Sequence, residues 1–197
     1  MYSKIEHIIK FLESNHIYLR PLIRSDLDHR FIAYFHTTTR SLTQLKLPKN
    51  PTQLNNWFET ITNDPTRMDF IISQQRDIEL VGTISLTNID LYNRSANLSI
   101  IIPRKHYHNK GIGSEAIFLL LLYVFETLNL NRVHIQIPTY NSLAIAVANK
   151  IGFKQEGELR QAYFDKNEYH NVLQFGILKT DFEEKKMTGD YLKFKDF

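Results

Sequence analysis

The sequence predicts one mixed α/β domain in which helices cover both faces of a mostly antiparallel central sheet. In the first half, strand-like segments follow one another closely, which favours hairpins, whereas helical segments separate the later strands. The chain has 197 residues with 43% hydrophobic and 12% aromatic content, which is enough for one well-filled core. We therefore expect a single domain.

The two ends of the chain read as additions to this domain. Residues 1–16 mix charges with apolar side chains at helical spacing, which predicts a docked extension helix rather than a signal peptide. We expect the domain itself at residues 17–184. The tail at 185–197 mixes charged and aromatic residues, and it has two open alternatives, a frayed end or a segment packed on a neighbour.

The first elements of the domain are a strand and a helix. Residues 17–22 alternate as a strand does, and Ser25 with Asp26 offers a cap for a following helix. Residues 36–65 are polar and punctuated by proline, which is typical of loops near a binding face. One helical patch interrupts them, formed by Leu54, Trp57, Phe58 and Ile61.

The remaining elements alternate along the second half of the chain. A hairpin is expected at 74–79 and a helix at 142–150, and the last strand is expected to close the sheet. Strands are predicted at residues 69–73, 80–88, 96–102, 132–137, from 152 onward and 172–178.

A short glycine-containing run opens into a long apolar helix at residues 106–125. Gly111 and Gly113 let a ligand approach the backbone, and the free amides of a helix start attract anions. Lys110 and Arg104 add positive charge nearby, so a pyrophosphate is a suitable ligand. An ordinary turn and cap is the alternative, since neither a P-loop nor a third glycine is present. The apolar run at 116–125 is too short for a membrane span and suits a buried core helix.

Five motifs, in order, resemble those of one family. The segments are IDLYNRSA at 89–96, HNKGIG at 108–113, NSLAI at 141–145, KIGF at 150–153 and EGELR at 156–160. Over residues 17–182 the chain resembles the GCN5-related N-acetyltransferases (GNAT), especially the branch of ribosomal-protein N-terminal and spermidine acetyltransferases. The family pattern Gln/Arg-x-x-Gly-x-Gly/Ala has His108 at its first position here.

This resemblance implies the GNAT fold, acetyl-CoA as the cofactor and a set of cofactor-binding residues. The pyrophosphate would lie on backbone amides of the glycine loop, and the pantetheine arm would pair with the strand at 100–102. Asn141 would hydrogen-bond that arm, and it could also cap the helix that follows. The implied cofactor-binding residues are Ile100, Ile101, Ile102, His108, Asn109, Lys110, Gly111, Ile112, Gly113, Ser114, Asn141, Asn149 and Lys150.

The same resemblance leaves the catalytic residues unknown. The tyrosine that the spermidine enzymes use as a general acid aligns with Ala148, and the strand glutamate proposed as base aligns with Asn97. The weak candidates that remain in this region are Asp90, Tyr92, His134 and Tyr163, followed by Glu168. Each has a structural alternative, so positioning and an oxyanion hole at the amide of Ile101 or Ile102 could carry most of the rate.

The predicted function is acetyl transfer from acetyl-CoA to a primary amine of a small molecule such as an amino sugar. Three alternatives stay open: a protein N-terminal acetyltransferase, a polyamine acetyltransferase, or a catalytically degenerate acyl-CoA-binding protein. No metal is expected, because no carboxylate lies at ligand spacing from His106 and His108. We expect no membrane partner, and a homodimer is an open alternative to a monomer.

The composition indicates where the protein is located in the cell and which class of acceptor it favours. The absence of cysteine fits a reducing compartment, so we expect a cytoplasmic protein. A net charge of +3 with scattered basic residues gives no support for nucleic-acid binding. From 36 to 51 the chain has Arg40, Lys46 and Lys49 but no acidic residue, which disfavours a polyamine.

Overall fold

The computed structural model describes residues 9–27, 50–75 and 77–188. Its strands are β1 Leu12–Glu13, β2 Ile17–Pro21, β3 Met68–Gln74, β4 Asp77–Asp90, β5 Ser95–Ile101, β6 Arg132–Pro138, β7 Lys154–Asp165 and β8 Glu168–Leu178. Its helices are α1 Pro51–Thr62, α2 Ile112–Leu122, α3 Ser142–Ile151 and α4 Lys179–Met187. The strands form one sheet in the order β1-β2-β3-β4-β5-β6-β8-β7.

One pair of neighbouring strands differs from all the others in this sheet. β5 and β6 run parallel, whereas every other pair is antiparallel. Their ladder has only three rungs, which join residues 95–97 to 132–134. Beyond these rungs β5 stays paired with β4 as far as Ile101, and β6 stays paired with β8 as far as Pro138. The two strands therefore diverge towards their carboxyl ends.

The larger hydrophobic core lies on one face of the sheet. Helix α2 is buried almost all round, as its apolar sequence from Ala116 onward requires. Phe182 of α4 packs its ring 5.7 Å from that of Phe118 and 5.2 Å from that of Phe125. Within the described chain, no helix combines the length and the apolar character needed to cross a membrane.

A smaller core covers the opposite face. Helix α1 begins with a capping box between Asn50 and Gln53, with Pro51 in its first turn. The cluster beneath α1 consists of Leu22, Ile61 and Ile71, with Trp57, Phe58 and Leu80 packed around them. Helices thus lie on both faces, and the predicted fold class is confirmed.

The predicted strands and the two later helices are found close to their expected positions. Helix α2 begins at Ile112 and continues past Leu122 as a π-helical turn, Tyr123–Thr127. The last strand in the sequence does not close the sheet, which corrects our expectation. β8 lies between β6 and β7, because the tight turn between β7 and β8 folds β7 outward as the edge strand.

The expected N-terminal helix is wrong for the described residues 9–16. Leu12 and Glu13 form β1, which pairs with β2. The amide of Ser14 donates to the carbonyl of Ile17, and the Ser14 hydroxyl oxygen accepts the amide of Ile17 at 3.3 Å. This tight turn imposes a hairpin. Ile9, which a docked helix would bury, is 55% exposed. Residues 1–8 and 189–197 lie outside the described residues.

The predicted helix after Ser25 and Asp26 falls mostly outside the described residues. Within them, the Asp26 carboxylate binds the buried guanidinium of Arg20 through two hydrogen bonds of 2.7 and 2.8 Å. It also accepts the amide of Ile23 at 2.9 Å. Asp26 therefore fixes the chain at the end of β2.

Gly82 on β4 allows the end of β5 to lie where it does. A Cβ atom at this position would be 2.4 Å from the carbonyl oxygen of Ile101, so Gly82→Ala must displace backbone. We expect Gly82→Ala to lower the free energy of unfolding by about 1 to 3 kcal/mol, as overpacking does. Urea unfolding measures this change.

A second strand glycine provides the matched control for that measurement. A Cβ atom at Gly157 would have the Gln174 side-chain oxygen as its nearest neighbour, at 3.6 Å. Gly157→Ala should therefore change stability by no more than about 0.5 kcal/mol. Equal losses of unfolding free energy in the two variants would show that the close approach of Ile101 to Gly82 does not cause the destabilisation.

Candidate functional site

A cavity of about 350 Å³ lies beside the diverging ends of β5 and β6, against helices α2 and α3. Ile100, Ile102 and Ile135 line it from the strands, and Val147 and Ala148 line it from α3. The walls are therefore mainly apolar, while the strand edges offer backbone groups that do not pair with each other. This combination suits an extended ligand that carries amides.

The loop from β5 to α2 closes one end of this cavity. It contains a short 3-10 turn, Lys105–Tyr107, followed by His108. The His108 Nε2 atom lies 2.8 Å from the carbonyl oxygen of Ile102. Because a carbonyl only accepts, Nε2 is the protonated donor. His108 thus ties the loop to the end of β5, a contact that its position in the motif does not reveal.

The start of helix α2 has the geometry expected of an anion site. Gly111 is the N-cap residue with a φ of 83°, a left-handed conformation that glycine adopts without strain. No side chain caps the first turn, so its amides remain available to a ligand. Gly113 has no positive φ, so its role differs from that of Gly111. A Cβ atom there would meet the Ile102 Cδ1 atom at 3.5 Å, and the missing side chain leaves room beside the amides.

Asn141 stands where β6 leads into α3. Its side-chain oxygen accepts the amide of Ala144 at 3.2 Å, which makes it the N-cap of α3. Its side-chain NH₂ group makes no hydrogen bond to a described residue, and Asn141 lines the cavity. The capping role is therefore observed, and the NH₂ group remains available to a ligand.

Most of the predicted cofactor-binding residues come together around the cavity. Those that line it are Ile100, Ile101, Ile102, His108, Asn109, Gly111, Ile112, Gly113, Ser114, Asn141 and Lys150. Lys110 and Asn149 do not line it, and both are exposed. The sequence reasoning missed the apolar lining residues Pro103, Tyr107, Ile117, Ile135, Leu143, Ala144, Ala146, Val147 and Ala148.

Glu115, also missed, anchors the first turn of α2 from behind. Its carboxylate is buried and accepts the hydroxyl of Ser14 at 2.5 Å, with His16 Nδ1 at 3.2 Å. It does not line the cavity. A carboxylate near a helix start is stabilised by the helix dipole, so Glu115 fastens the helix start to the β1–β2 hairpin.

The sheet presents a more polar surface on its other face at the same divergence. Side chains alternate between faces along a strand, so Asn97 and Ser99 of β5 lie opposite the core. His134 and Gln136 of β6 lie on that same face, because Val133 and Ile137 are buried in the core. A group passed between the diverging strands from the cavity would reach this polar face.

Two of the catalytic candidates are in the turn between β4 and β5. Tyr92 is 94% exposed. Asp90 accepts the backbone amide of Asn93 at 2.8 Å and its side-chain amide at 2.7 Å. These hydrogen bonds hold the pKa of Asp90 below its usual value. Neither residue lines the cavity, and Asp90 has a turn-forming role.

Tyr163 and Glu168 are on the β7–β8 hairpin. Tyr163 is buried opposite His170, and its ring centroid is 5.8 Å from that of Tyr140. Burial and the hydrogen bond to Tyr163 raise the pKa of Tyr140 well above its usual value. The Tyr140 ring also lies 4.7 Å from that of His170, and Glu168 is exposed at the turn. Tyr140, Tyr163 and His170 form an aromatic cluster next to Asn141.

His134 has the most unusual environment among the candidates. Burial and the neighbouring positive charge of Arg132 lower the pKa of its imidazole, which favours the neutral form at pH 7. Its Nδ1 atom is buried and has no hydrogen-bond partner among the described residues. Such orphaned polar atoms are rare in native proteins.

Comparison with protein families identifies one domain. The model described as "Acetyltransferase (GNAT) domain" matches residues 16–154, most of the chain. The match covers the glycine loop, the diverging strands and helix α3.

Two relatives are similar over nearly their whole length. The Bacillus subtilis protein YdaF, which carries the name of a ribosomal N-acetyltransferase, is 31% identical over 178 residues, or 88% of this chain and 97% of YdaF. The spermidine N(1)-acetyltransferase of Escherichia coli K12 is 28% identical over 180 residues, or 88% of this chain and 92% of that enzyme.

A solved structure shows the same fold. The spermidine N-acetyltransferase of Vibrio cholerae, in complex with CoA and spermine, superposes with a TM-score of 0.76 at 24% identity. The match covers 85% of this chain and 98% of that structure.

Proposed function

The chain belongs to the GNAT acetyltransferase family, and from this membership we propose that it acetylates a primary amine of a small molecule such as an amino sugar. The reaction class is that of the family: the protein is an acyltransferase that uses acetyl-CoA and acts on an amine. The observation that carries the proposal is the apolar cavity between the diverging strands and the uncapped start of α2.

We propose that the pyrophosphate of acetyl-CoA lies on the amides of Ile112, Gly113 and Ser114. The pantetheine arm then follows the unpaired edge of β5, and its amides pair with backbone groups there and with the Asn141 NH₂ group. Three features support this placement: the left-handed N-cap at Gly111, the space at Gly113 and the apolar cavity walls. Lys110 is exposed beside Gly111, where it can add only long-range attraction.

The same placement brings the thioester to the divergence of β5 and β6. The amine nitrogen attacks the carbonyl carbon from the polar face, and the amide of Ile101 or Ile102 stabilises the oxyanion. CoA leaves as a thiolate, whose pKa near 8.5 makes it an adequate leaving group without a general acid. Ala148 is buried against the cavity and has no hydroxyl to serve as that acid.

The charge of residues 36–67, where we expect the acceptor to bind, argues against a polycationic acceptor. Arg40, Lys46 and Lys49 precede the first acidic residues of this region, Glu59 and Asp64. Glu59 is ion-paired with Arg24, and Asp64 accepts the amide and hydroxyl of Thr66. Both carboxylates therefore already have partners, which weakens their attraction for a polyamine. An amine on a neutral or anionic scaffold meets no such opposition.

The aromatic cluster supports a sugar as the scaffold. The half-buried rings of Tyr140 and His170, backed by the buried ring of Tyr163, offer apolar faces with polar edges beside the end of β6. A ring-shaped acceptor with hydroxyl groups suits such a surface better than a flexible chain does.

A polyamine is the second candidate acceptor, favoured by the 28% identity to a spermidine acetyltransferase. A protein N-terminus is an alternative that the similarity to YdaF supports. A degenerate acyl-CoA-binding protein remains the non-enzymatic alternative, because Ala148 and Asn97 replace the usual acid and base. A homodimer and a cytoplasmic location remain predictions.

Gly113→Glu tests the cofactor placement. The variant puts a side chain and a negative charge where we place the pyrophosphate, so the Kd for acetyl-CoA should rise at least about 100-fold, or about 2.7 kcal/mol. Titration calorimetry measures this, and thermal unfolding should show a folded protein.

Two further substitutions at Gly113 separate size from charge. Gly113→Ala adds only ordinary contacts with Ile102 and Ile100, so its Kd should stay within about tenfold of the wild type. Gly113→Gln should fall between Ala and Glu. A Kd for Gly113→Glu close to that of the wild type would refute the placement.

The acceptor proposal predicts a ranking of amines. We expect kcat/KM for glucosamine, glucosamine 6-phosphate or a short peptide N-terminus to exceed that for spermidine, measured by thiol release. Because repulsion between exposed charges is screened by salt, the spermidine value should improve from low to moderate ionic strength. If spermidine is better by about tenfold or more at both salt concentrations, the charge argument is wrong and the polyamine candidate replaces it.

A further inference from the structure

We propose that the imidazole of His134 accepts the proton that the acceptor amine loses, in the role that the family gives to a glutamate at the position of Asn97. This inference rests on the proposed acetyl transfer to an amine, whichever amine is used. It makes His134 a catalytic residue of this chain.

The register of the sheet places His134 at the right point. It pairs with Asn97 in the last rung of the β5–β6 ladder, immediately before the strands diverge. Neighbouring strands lie about 4.8 Å apart, and both side chains are on the polar face, so the imidazole stands next to the Asn97 side chain. A proton acceptor on β6 therefore serves the same opening as one on β5.

The imidazole of His134 also has no hydrogen-bond partner in the described chain. Neither ring nitrogen hydrogen-bonds a described residue, and Nδ1 is fully buried. Because Nδ1 has no exposed surface, a bound amine, or one water between the amine and the ring, would reach the other nitrogen, Nε2, which is not among the buried unpaired atoms. Orphaned polar atoms in a native structure call for a ligand or a functional reason.

The charges around His134 favour a neutral ring that can take up a proton. Arg132 on its own strand and Glu156 on β7 are the charged groups that act on it, and these two are ion-paired with each other. On β5 the neighbour is the neutral Asn97, and on β8 it is Gly176, which has no side chain. Burial then dominates and lowers the pKa of the imidazole.

The carboxylates on this part of the sheet are already engaged. Asp69 receives two hydrogen bonds from Arg67, at 2.5 and 2.9 Å, and one from Ser85 at 2.6 Å. Glu156 is held by Arg132. The hydrogen bonds from Arg132 lower the pKa of the Glu156 carboxylate, which weakens it as a base. His134 is the base candidate at the divergence that carries no such bond within the described chain.

The proposed acetyl transfer conserves protons and electrons. The ammonium gives one proton to the imidazole, and the amine lone pair forms the C–N bond at the thioester carbonyl. The C–S bond breaks with its electron pair on sulfur. The second nitrogen proton reaches the thiolate directly or through water, and the imidazolium releases its proton to solvent.

The test compares the wild type with His134→Gln, using the best acceptor of the amine panel. We expect kcat/KM to fall about 100-fold or more, the low end for loss of a general base, while the Kd for acetyl-CoA stays unchanged by calorimetry. In the wild type, kcat/KM should be constant between the pKa of the imidazole and that of the amine, and it should fall only below the imidazole pKa. In His134→Gln, which needs an amine that is already neutral, kcat/KM should begin to fall below the amine pKa. For an acceptor amine that is already neutral at the assay pH, His134→Gln should lower kcat/KM by a smaller factor.

Rescue supplies the matched control. Asn97→Glu in the His134→Gln protein restores a base one strand away, so activity should recover at least about tenfold, with its own acid limb at lower pH. A His134→Gln protein that binds acetyl-CoA and keeps wild-type kcat/KM and pH profile would overturn the proposal. So would an unrescued loss with an unchanged pH profile.

A readout independent of turnover separates this proposal from the proposed function. NMR titration of the imidazole in the CoA complex should place its pKa below the ordinary histidine value of about 6.5. An imidazole charged at pH 7 would overturn the role of His134. Absence of thiol release with every amine would instead refute the enzymatic function.

Discussion

The divergence of β5 and β6 is the constraint on which the site depends. Each strand is held on its outer side by an antiparallel neighbour, β4 for β5 and β8 for β6, through to its carboxyl end. Only three parallel rungs join them to each other. Since paired backbone groups cannot bind a ligand, the missing rungs supply the free strand edges, and they also connect the cavity on one face with the polar surface on the other.

The rigid surroundings of this opening fix the groups that would bind the cofactor. Helix α2 is buried on nearly all sides, and Glu115 fastens its first turn to Ser14. His108 fastens the preceding loop to Ile102. The amides at the helix start and the edge of β5 are therefore held relative to each other before any ligand arrives. Such preorganisation removes an entropic cost from binding and from the reaction.

The sequence predicted the elements well because most of them follow local rules. The alternation of β2 to β6, the glycine loop and the apolar run of α2 from Ala116 each have a local pattern. The helix expected at the N-terminus was wrong for residues 9–16, because Leu12 has helical spacing in the sequence, whereas the turn formed by Ser14 decides the structure there. The cavity wall on α3 was missed, since Val147 and Ala148 look like ordinary core residues in any apolar helix.

The catalytic residues were the part that sequence could not assign, because register is not a local property. The local sequence around His134 does not predict that His134 pairs with Asn97 or that its Nδ1 atom has no partner in the described chain. Asp90 and Tyr92 were equally plausible in the sequence, yet Asp90 is engaged in its turn by Asn93 and Tyr92 is almost fully exposed. Distinguishing them requires the pairing of β5 with β6, which joins residues more than thirty positions apart.

Losing the usual general acid and losing the usual general base have different energetic consequences. An alkyl ammonium with a pKa near that of lysine, about 10.4, is neutral in only about one molecule in 2,500 at pH 7, a handicap of roughly 4.6 kcal/mol. A thiol with a pKa near 8.5 needs far less help, because its anion is only about 2 kcal/mol uphill at that pH. Replacing the acid by Ala148 therefore costs little, and the freed volume joins the cavity. Replacing the base by Asn97 leaves the larger barrier uncovered, and the role that we propose for the imidazole on the facing strand addresses that barrier.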